Sequence, residues 1–165
     1  MESANQHPPG RGLEGIIGVV LGLQEIQRYN TIVANAIPPI DSRLEAWYWS
    51  NSGDFFQGYG LAFGLDVLAE YFAGRIADLA EQKYGTGSKL YRAAEYIQAN
   101  HIARSIGAAA LSSGAVVAAE TLGILNYPML ADIPAGIAGA LLYVGIRAYV
   151  TQRHGRLHKN SESAS

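Results

Sequence analysis

Apolar runs of helical length, separated by polar segments, divide the chain into four stretches. The two most apolar stretches cover residues 105–127 and 131–150, and Glu120 is the only charge in the first of them. At about 1.5 Å per residue, each is long enough to cross a hydrocarbon core of about 30 Å. The short connection between them, through Pro128, predicts an antiparallel transmembrane hairpin. The alternative is a buried hairpin in a soluble helical protein.

The two earlier stretches, residues 13–36 and 58–79, are amphipathic at helical spacing. In the second, one face is apolar and another is acidic: Leu61, Leu65, Leu68, Phe72, Ile76 and Leu79 against Asp66, Glu70 and Asp78. A charge at mid-bilayer costs about 2.5–3.5 kcal/mol on insertion scales, so neither stretch would insert well alone. We expect spans whose polar faces point into a bundle, although helices lying in the interface are the alternative.

Together these stretches predict an all-α, polytopic helical membrane protein, with a transmembrane hairpin and two amphipathic or spanning helices. The predicted organisation is a flexible N-terminus (1–12), a single helical membrane domain (13–152) and a basic, polar C-terminal tail (153–165).

Lysine and arginine are distributed unevenly between the predicted loops. Residues 37–57 hold only Arg43, and residues 126–132 hold none, whereas residues 80–104 and the C-terminal tail hold several each. Because cytoplasmic loops carry an excess of Lys and Arg, this alternation predicts an integral membrane protein with both termini in the cytoplasm. Two spans fit the alternation almost as well as four.

The composition agrees with a membrane protein and excludes several classes. Of the 165 residues, 49% are hydrophobic and only 16% are charged, below the roughly 25% of an ordinary soluble domain. A net charge of −2 provides no basic field, so we expect no nucleic-acid partner. The absence of cysteine excludes disulfides, thiolate metal sites and Cys nucleophiles. We expect no catalytic residues, no metal and no cofactor, and therefore no enzyme.

Two short motifs have weak functional interpretations. Residues 10–15 match the glycine pattern of a dinucleotide-binding loop, but Pro8 and Pro9 precede it where a strand would be needed. His154 and His158 lie one helical turn apart in a basic tail, with no carboxylate or thiolate near them in sequence to complete a metal site.

Small residues recur at helix-packing spacing in all four stretches. The predicted packing positions are Gly18, Gly22, Gly60, Gly64, Ala110, Gly114, Ala118, Gly136 and Ala140. Such ridges let helix backbones approach closely, which is a main source of helix association in lipid. We expect packing within the chain or between copies, with chance in an Ala- and Gly-rich chain as the alternative.

Five of the charged residues inside the predicted spans form the predicted intramembrane polar cluster: Glu25, Arg28, Asp66, Glu70 and Glu120. Their depths predict that Arg28 pairs with Asp66 or Glu120, and that Glu25 lies level with Glu70. Intramembrane charges pair with one another or line a polar path. We therefore expect the cluster to be either a structural layer of ion pairs or a route for protons or cations.

Five aromatic residues lie between the first two stretches, where we expect a non-cytoplasmic loop. Trp47, Tyr48, Trp49, Phe55 and Phe56 have the composition of an interfacial aromatic belt, with a hydrophobic plug under a soluble loop as the alternative.

Three functions fit these features. The first is a non-enzymatic structural or assembly subunit of a larger membrane complex or virion membrane, whose partners are the bilayer, other membrane subunits or further copies of the chain. The second is a small channel, holin-like pore or ion-coupled transporter that uses the charged cluster. The third is a soluble all-helical interaction domain.

Overall fold

The computed structural model describes residues 10–37, 39–122 and 132–162, with side chains as far as Arg156. These residues form five helices and no strand: α1 Gly12–Val33, α2 Arg43–Tyr84, α3 Lys89–Ala99, α4 His101–Thr121 and α5 Ile133–Glu162. The fold is therefore all-α, as the sequence predicts. Two segments, α4 and Ile133–Arg156 of α5, are long and apolar enough to cross a membrane, a property that buried helices of soluble proteins can share.

Local sequence signals set the helix ends. Ser42 and Glu45 form a capping box, in which the Ser42 hydroxyl accepts from the Glu45 amide and the Glu45 carboxylate accepts from the Ser42 amide. Gly85 ends α2 with φ of 78°, a conformation that favours glycine. Asn100 separates α3 from α4 and accepts a hydrogen bond from the Ala103 amide at 3.3 Å.

Two predicted helix boundaries are corrected by the structure. The second helix begins at Arg43 instead of residue 58, so the aromatic segment is helical and not part of a loop. The capping box starts the helix there, and no Pro interrupts it. The last helix does not stop near residue 150 but continues through the predicted tail to Glu162, again with no Pro in its way. The predicted hairpin tip falls mostly in residues 123–131, outside the described residues.

Helix directions follow from cross-helix contacts with α2. Arg11, just before α1, bonds Glu70, while Arg28 in α1 bonds the carbonyl oxygen of Trp49, so α1 is antiparallel to α2. In α4, Arg104 bonds Glu70 and Ser112 bonds the carbonyl of Gly58, so α4 is antiparallel as well.

Helix α5 runs parallel to α2, and this fixes the two ends of the bundle. A Cβ at Gly139 would overlap the Phe55 carbonyl, while Tyr143, further along α5, bonds Asp66, further along α2. We call the end where α1 and α4 begin the Arg104 end, and the opposite end the Arg28 end. Beyond Glu70, α2 continues for another 14 residues, or about 21 Å, with α3 folded back along it.

Close backbone contact holds the centre of the bundle together. A Cβ added at Gly58 would overlap the carbonyl oxygen of Gly136, and one at Gly136 would lie 2.8 Å from Val116 Cγ1. Around this junction of α2, α4 and α5 the core is built mainly from small and aromatic residues: Tyr59, Ala62, Ala109, Ala140 and Tyr143. Glycine is required here because any side chain would separate the helices.

The buried positions of the described residues hold mainly alanine, two tyrosines and several polar side chains, whereas many large apolar residues are exposed. The buried polar or charged residues of the described ranges are Glu14, Asp66, Arg104, Ser105, Ser112, Glu120 and Arg147. Large apolar residues lie outside on every helix, among them Ile16, Val19, Leu23, Leu61, Leu68, Ile106, Leu111, Leu141 and Leu142. In water-soluble proteins, charged residues are almost never fully buried unless paired, and Leu, Ile and Val fill the core.

Candidate functional site: the buried charge network

Arg104, in the first turn of α4, is the centre of a buried network. Its Nε donates to Asp66 Oδ1 at 2.6 Å, and its Nη2 donates to Glu70 Oε2 at 2.8 Å. Its Nη1 donates to the carbonyl oxygens of Ile97 and Gln98 at 3.1 and 2.8 Å, at the C-terminal end of α3.

The guanidinium of Arg104 thereby has an acceptor for each of its five N–H groups. The fifth is His101 Nδ1, 3.3 Å from Nη2, which accepts when the ring proton is on Nε2. The Arg104 side chain is 2% exposed. One planar group therefore joins α2, α3 and α4, which an ammonium with three donors could not do in the same geometry.

Arg11, just before α1, approaches the same carboxylates from another side. Its Nε donates to Glu70 Oε2 at 3.0 Å, and its Nη1 donates to Asp66 Oδ2 at 3.0 Å and to the Tyr143 hydroxyl at 3.2 Å. The Tyr143 hydroxyl in turn donates to Asp66 Oδ2. Burial lowers the pKa of Arg11, but the hydrogen bond to Glu70 and the charges of both acids raise it by more, so Arg11 stays cationic.

A second buried ion pair lies next to this network. Arg147 Nη1 of α5 donates to Glu14 Oε1 of α1 at 2.9 Å, and both side chains are 0% exposed. The carbonyl of Glu14 accepts from the Tyr59 hydroxyl at 2.8 Å. Every helix of the bundle therefore contributes to the Arg104 end, with three arginines facing three carboxylates and no net charge.

The Arg28 end holds a separate polar group. Arg28 donates to Glu25 in its own helix and, through Nη1, to the carbonyl of Trp49 at 2.8 Å. Ser52 donates to Glu25 Oε2 at 3.2 Å.

Three acidic residues lie within electrostatic reach of one another at this end: Asp54, Glu120 and Asp132. Burial raises the pKa of Asp132, and the negative charge of Glu120 raises it further. Glu120 itself is 5% exposed.

The two polar groups are well separated along the bundle. Arg104 and Glu120 are 16 residues apart in α4, which corresponds to about 24 Å. Between them lie Ala109, Val116 and the glycine junction of α2 and α5. The bundle thus has two polar layers and an apolar, small-residue layer between them.

The structure divides the predicted polar cluster between these layers. Asp66 and Glu70 lie at the Arg104 end, whereas Glu25, Arg28 and Glu120 lie at the Arg28 end. The predicted pairing of Arg28 with Asp66 is wrong, because Arg28 pairs with Glu25. Glu25 and Glu70 are not level with each other, because the packing of α1 against α2 places Glu70 beside Arg11 and Glu25 beside Ser52.

Sequence reasoning missed most residues that complete the network: Arg11, Glu14, Arg104, Tyr143 and Arg147. The four charged residues among them lie at or near the ends of apolar stretches, where charges are expected in loops or at span edges, whereas Tyr143 lies inside the last stretch. Only the fold brings those ends to the same depth as Asp66.

The predicted packing glycines fall into two classes. A Cβ at Gly18 would lie 3.6 Å from the Tyr59 ring, and one at Gly22 would lie 3.4 Å from Phe56, while Gly136 and Ala140 lie in the core. In contrast, a Cβ at Gly60, Gly64 or Gly114 would meet nothing within 4 Å, Ala110 is exposed and Ala118 is half-buried. Gly58 and Gly139 are not among the predicted packing positions, but they make the closest contacts with the backbone of a neighbouring helix.

The five aromatic residues lie in the first turns of α2, around the Arg28 end. Trp47 packs edge-on against Phe55 with ring centroids 6.0 Å apart, and Tyr48 packs edge-on against Trp49 at 5.5 Å. Trp47 is 42% exposed. Phe56 faces Gly22 of α1.

The charged side chains of the network are bonded to one another. In residues 10–37, 39–122 and 132–162, no three His, Cys, Asp or Glu side chains are grouped so as to hold a metal ion. Comparison with protein-family profiles, with curated proteins and with solved structures finds no match for this chain.

Proposed function

We propose that this chain is a non-enzymatic integral membrane protein that serves as a structural or assembly subunit of a larger membrane complex. The observation that carries the proposal is the distribution of side chains, with paired charges and small residues inside and many Leu, Ile and Val side chains exposed. In lipid no hydrophobic force drives helices together, so small residues and polar contacts hold the inside while large apolar residues face the acyl chains.

The layering also supports insertion in a bilayer. The two polar groups are about 24 Å apart along α4, a spacing that places both toward the boundaries of a hydrocarbon core of about 30 Å. In a bilayer positioned in this way, the aromatic residues at the Arg28 end would lie at the level at which Trp and Tyr concentrate in membrane proteins. Helices α1, α4 and α5 and the part of α2 packed against them would then be the four spans.

The distribution of basic residues supports an orientation. The N-terminal end of α1, the turn between α2 and α3 and the C-terminal end of α5 share the Arg104 end, where most Lys and Arg lie. The Arg28 end has only Arg28 and Arg43. By the positive-inside rule, the Arg104 end with both termini is the cytoplasmic one.

A structural role accounts for the buried charges better than conduction does. Asp66 accepts from two arginines and a tyrosine, and Glu14 is bonded to Arg147. Proton or cation transfer would need a carboxylate that exchanges partners, whereas these carboxylates are held by arginines that do not release a proton. The hydrogen bonds instead fix the relative positions of five helices.

Membrane insertion is tested first. In membranes of an expression host, the chain should remain in the pellet after extraction at alkaline pH with carbonate. Release into the supernatant would contradict insertion and favour a soluble helical domain.

The structural role is then tested against conduction. Purified protein in liposomes should give no proton or cation flux above that of empty liposomes. Flux that is abolished in both Asp66→Asn and Glu120→Gln would overturn the structural role, and Glu81→Gln, on the exposed C-terminal part of α2, is the matched control. Purification in mild detergent should recover the chain with other membrane proteins or with further copies of itself.

A further inference from the structure

One apolar face of α2 has no partner in the described part of the chain. It consists of Leu61, Leu65, Leu68, Phe72, Ile76 and Leu79, of which all but the half-buried Leu65 are exposed. The face that packs against the rest of the protein is a different one, marked by Ala62, Asp66, Ala73, Ala77 and Ala80. The exposed face extends from Leu61 to Leu79, 18 residues further along the helix, or about 27 Å.

Contact with lipid would explain the exposure of only half of the residues on this face. Leu61, Leu65 and Leu68 lie at the depth of the bundle, but Phe72, Ile76 and Leu79 lie beyond Glu70, past the start of α1 and α4. Phe72 is 56% exposed and Leu79 62% exposed. Large apolar residues in a row outside the hydrocarbon core mark an interaction surface.

The spacing along this face is that of a heptad seam. Positions 65, 72 and 79 are seven apart and correspond to a, while positions 61, 68, 75 and 82 correspond to d. We propose that a second copy of this chain packs on this seam, with the two α2 helices parallel and in register. The proposal rests on the proposed membrane insertion, because two copies inserted with the same orientation meet about a twofold axis along the membrane normal.

The positions that flank the seam are complementary in such a pair. In a parallel coiled coil, a residue at g faces the residue five positions later, at e, in the partner helix. Asp78 would face Lys83, which are opposite charges, and Tyr71 would face Ile76, which are both apolar. Within the bundle, Gly64 would face Ala69, two small residues that permit close approach. A Cβ at Gly64 would meet nothing within 4 Å, so this position is open to a partner.

Arg75 is the one charged residue in the seam. Its replacement by an apolar residue should therefore strengthen the dimer, which adds a test by increased association to the tests that weaken it. Two Arg75 side chains would lie on either side of the twofold axis, outside the bundle layer, where their stems can carry the guanidinium groups to water. We therefore expect Arg75→Leu to increase the dimeric fraction in mild detergent. A second copy bound elsewhere would not respond in this way.

Single-cysteine variants test the seam directly, since the chain contains no cysteine. Leu65→Cys and Phe72→Cys should form disulfide-linked dimers on mild oxidation in membranes, because facing a and a′ positions bring the two Cα atoms within disulfide range. The matched controls are Glu81→Cys, exposed on another face of α2, and Leu111→Cys, exposed on α4. We expect crosslinked yields several-fold higher for the two seam variants.

Charge exchange tests the register. Asp78→Lys or Lys83→Asp alone should shift detergent-purified protein from dimer toward monomer, and the two changes combined should restore the dimer. Absence of crosslinking at the seam, crosslinking at Leu111→Cys instead, or a double exchange that fails to restore the dimer would each overturn the proposal. Carbonate extraction of the same membranes keeps the two proposals separate: a retained chain without the dimer contradicts the seam alone, and a released chain contradicts membrane insertion.

Discussion

Arg104 Nε lies 2.6 Å from Asp66 Oδ1, and both side chains are almost completely shielded from solvent. The pair connects the first turn of α4 to the middle of α2, and the Nη1 group of Arg104 donates to two of the last carbonyls of α3. A single side chain therefore fixes the position at which the chain turns back into the bundle. Because neither charge is accessible to water, each depends on the other.

Removing Arg104 should destabilise the fold strongly. Arg104→Met leaves Asp66 as a buried carboxylate with a lost partner, a change that costs about 3–5 kcal/mol in other proteins. Arg104→Lys should recover only part of this loss, because an ammonium cannot satisfy acceptors on three helices. Thermal unfolding in detergent measures both. Arg92→Met, exposed on α3, is the control, and equal stability of Arg104→Met and Arg92→Met would contradict the central role of Arg104.

The Glu14–Arg147 pair should show strong coupling in a double-mutant cycle. Glu14→Gln and Arg147→Met each leave an uncompensated buried charge, whereas the double variant leaves none. The double variant should therefore be more stable than the sum of the single changes implies, by about 0.5–3 kcal/mol, the range for residues in contact. Additive effects of the two changes on the free energy of unfolding would show that the pair does not form.

Glycine substitutions in α2 should separate tight packing from open surface. Gly58→Ala places a methyl group onto the carbonyl oxygen of Gly136, and overpacking of this kind costs about 1–3 kcal/mol. Gly60→Ala, two residues away and with nothing within 4 Å, should instead be neutral or gain up to about 1 kcal/mol from helix propensity. Thermal unfolding measures both: Gly58→Ala should unfold at a clearly lower temperature than the wild type, and Gly60→Ala at the same temperature or a higher one. Equal decreases in the unfolding temperatures of the two variants would show that the close contact between the helices is not at Gly58.

Asp132 should make stability depend on pH. Because burial and Glu120 raise its pKa in the folded chain, the folded state binds the proton more tightly than the unfolded state does. Its contribution to stability is therefore present below the ordinary Asp pKa of about 4 and is lost as pH rises through the folded pKa. Asp132→Asn, which keeps a side chain suited to capping α5, should remove this component.

The comparison of unfolding temperatures between wild type and Asp132→Asn from pH 4 to 7 isolates the effect of that carboxylate. The wild type should lose more stability than the variant as the pH rises. Parallel pH profiles would show that Asp132 is not close to Glu120 in the folded protein.

Much of the helical framework could be predicted from the sequence. The apolar stretches at 105–127 and 131–150 gave α4 and α5, and the amphipathic stretch at 13–36 gave α1, each within a few residues at its start. The missed start of α2 was readable, since Ser42 and Glu45 have the spacing of a capping box.

The partners of the polar residues could not be predicted in the same way. Arg28 and Asp66 have matching depths if α2 spans residues 58–79, but the actual offset between α1 and α2 puts Glu70 opposite Arg11 and Trp49 opposite Arg28. Gly60 and Gly58 differ by two positions, which on a helix is a rotation of about 200°, so one faces open space and the other faces α5.

The sequence by itself determined that the chain is helical and that its apolar residues exceed what its own core can use, because both follow from composition and local periodicity. The tertiary structure decided which charges meet, which glycines touch and which faces stay open. These depend on the rotation and axial offset of each helix against its neighbours. An offset of a few residues changes every cross-helix pair and leaves each helix's own pattern unaltered.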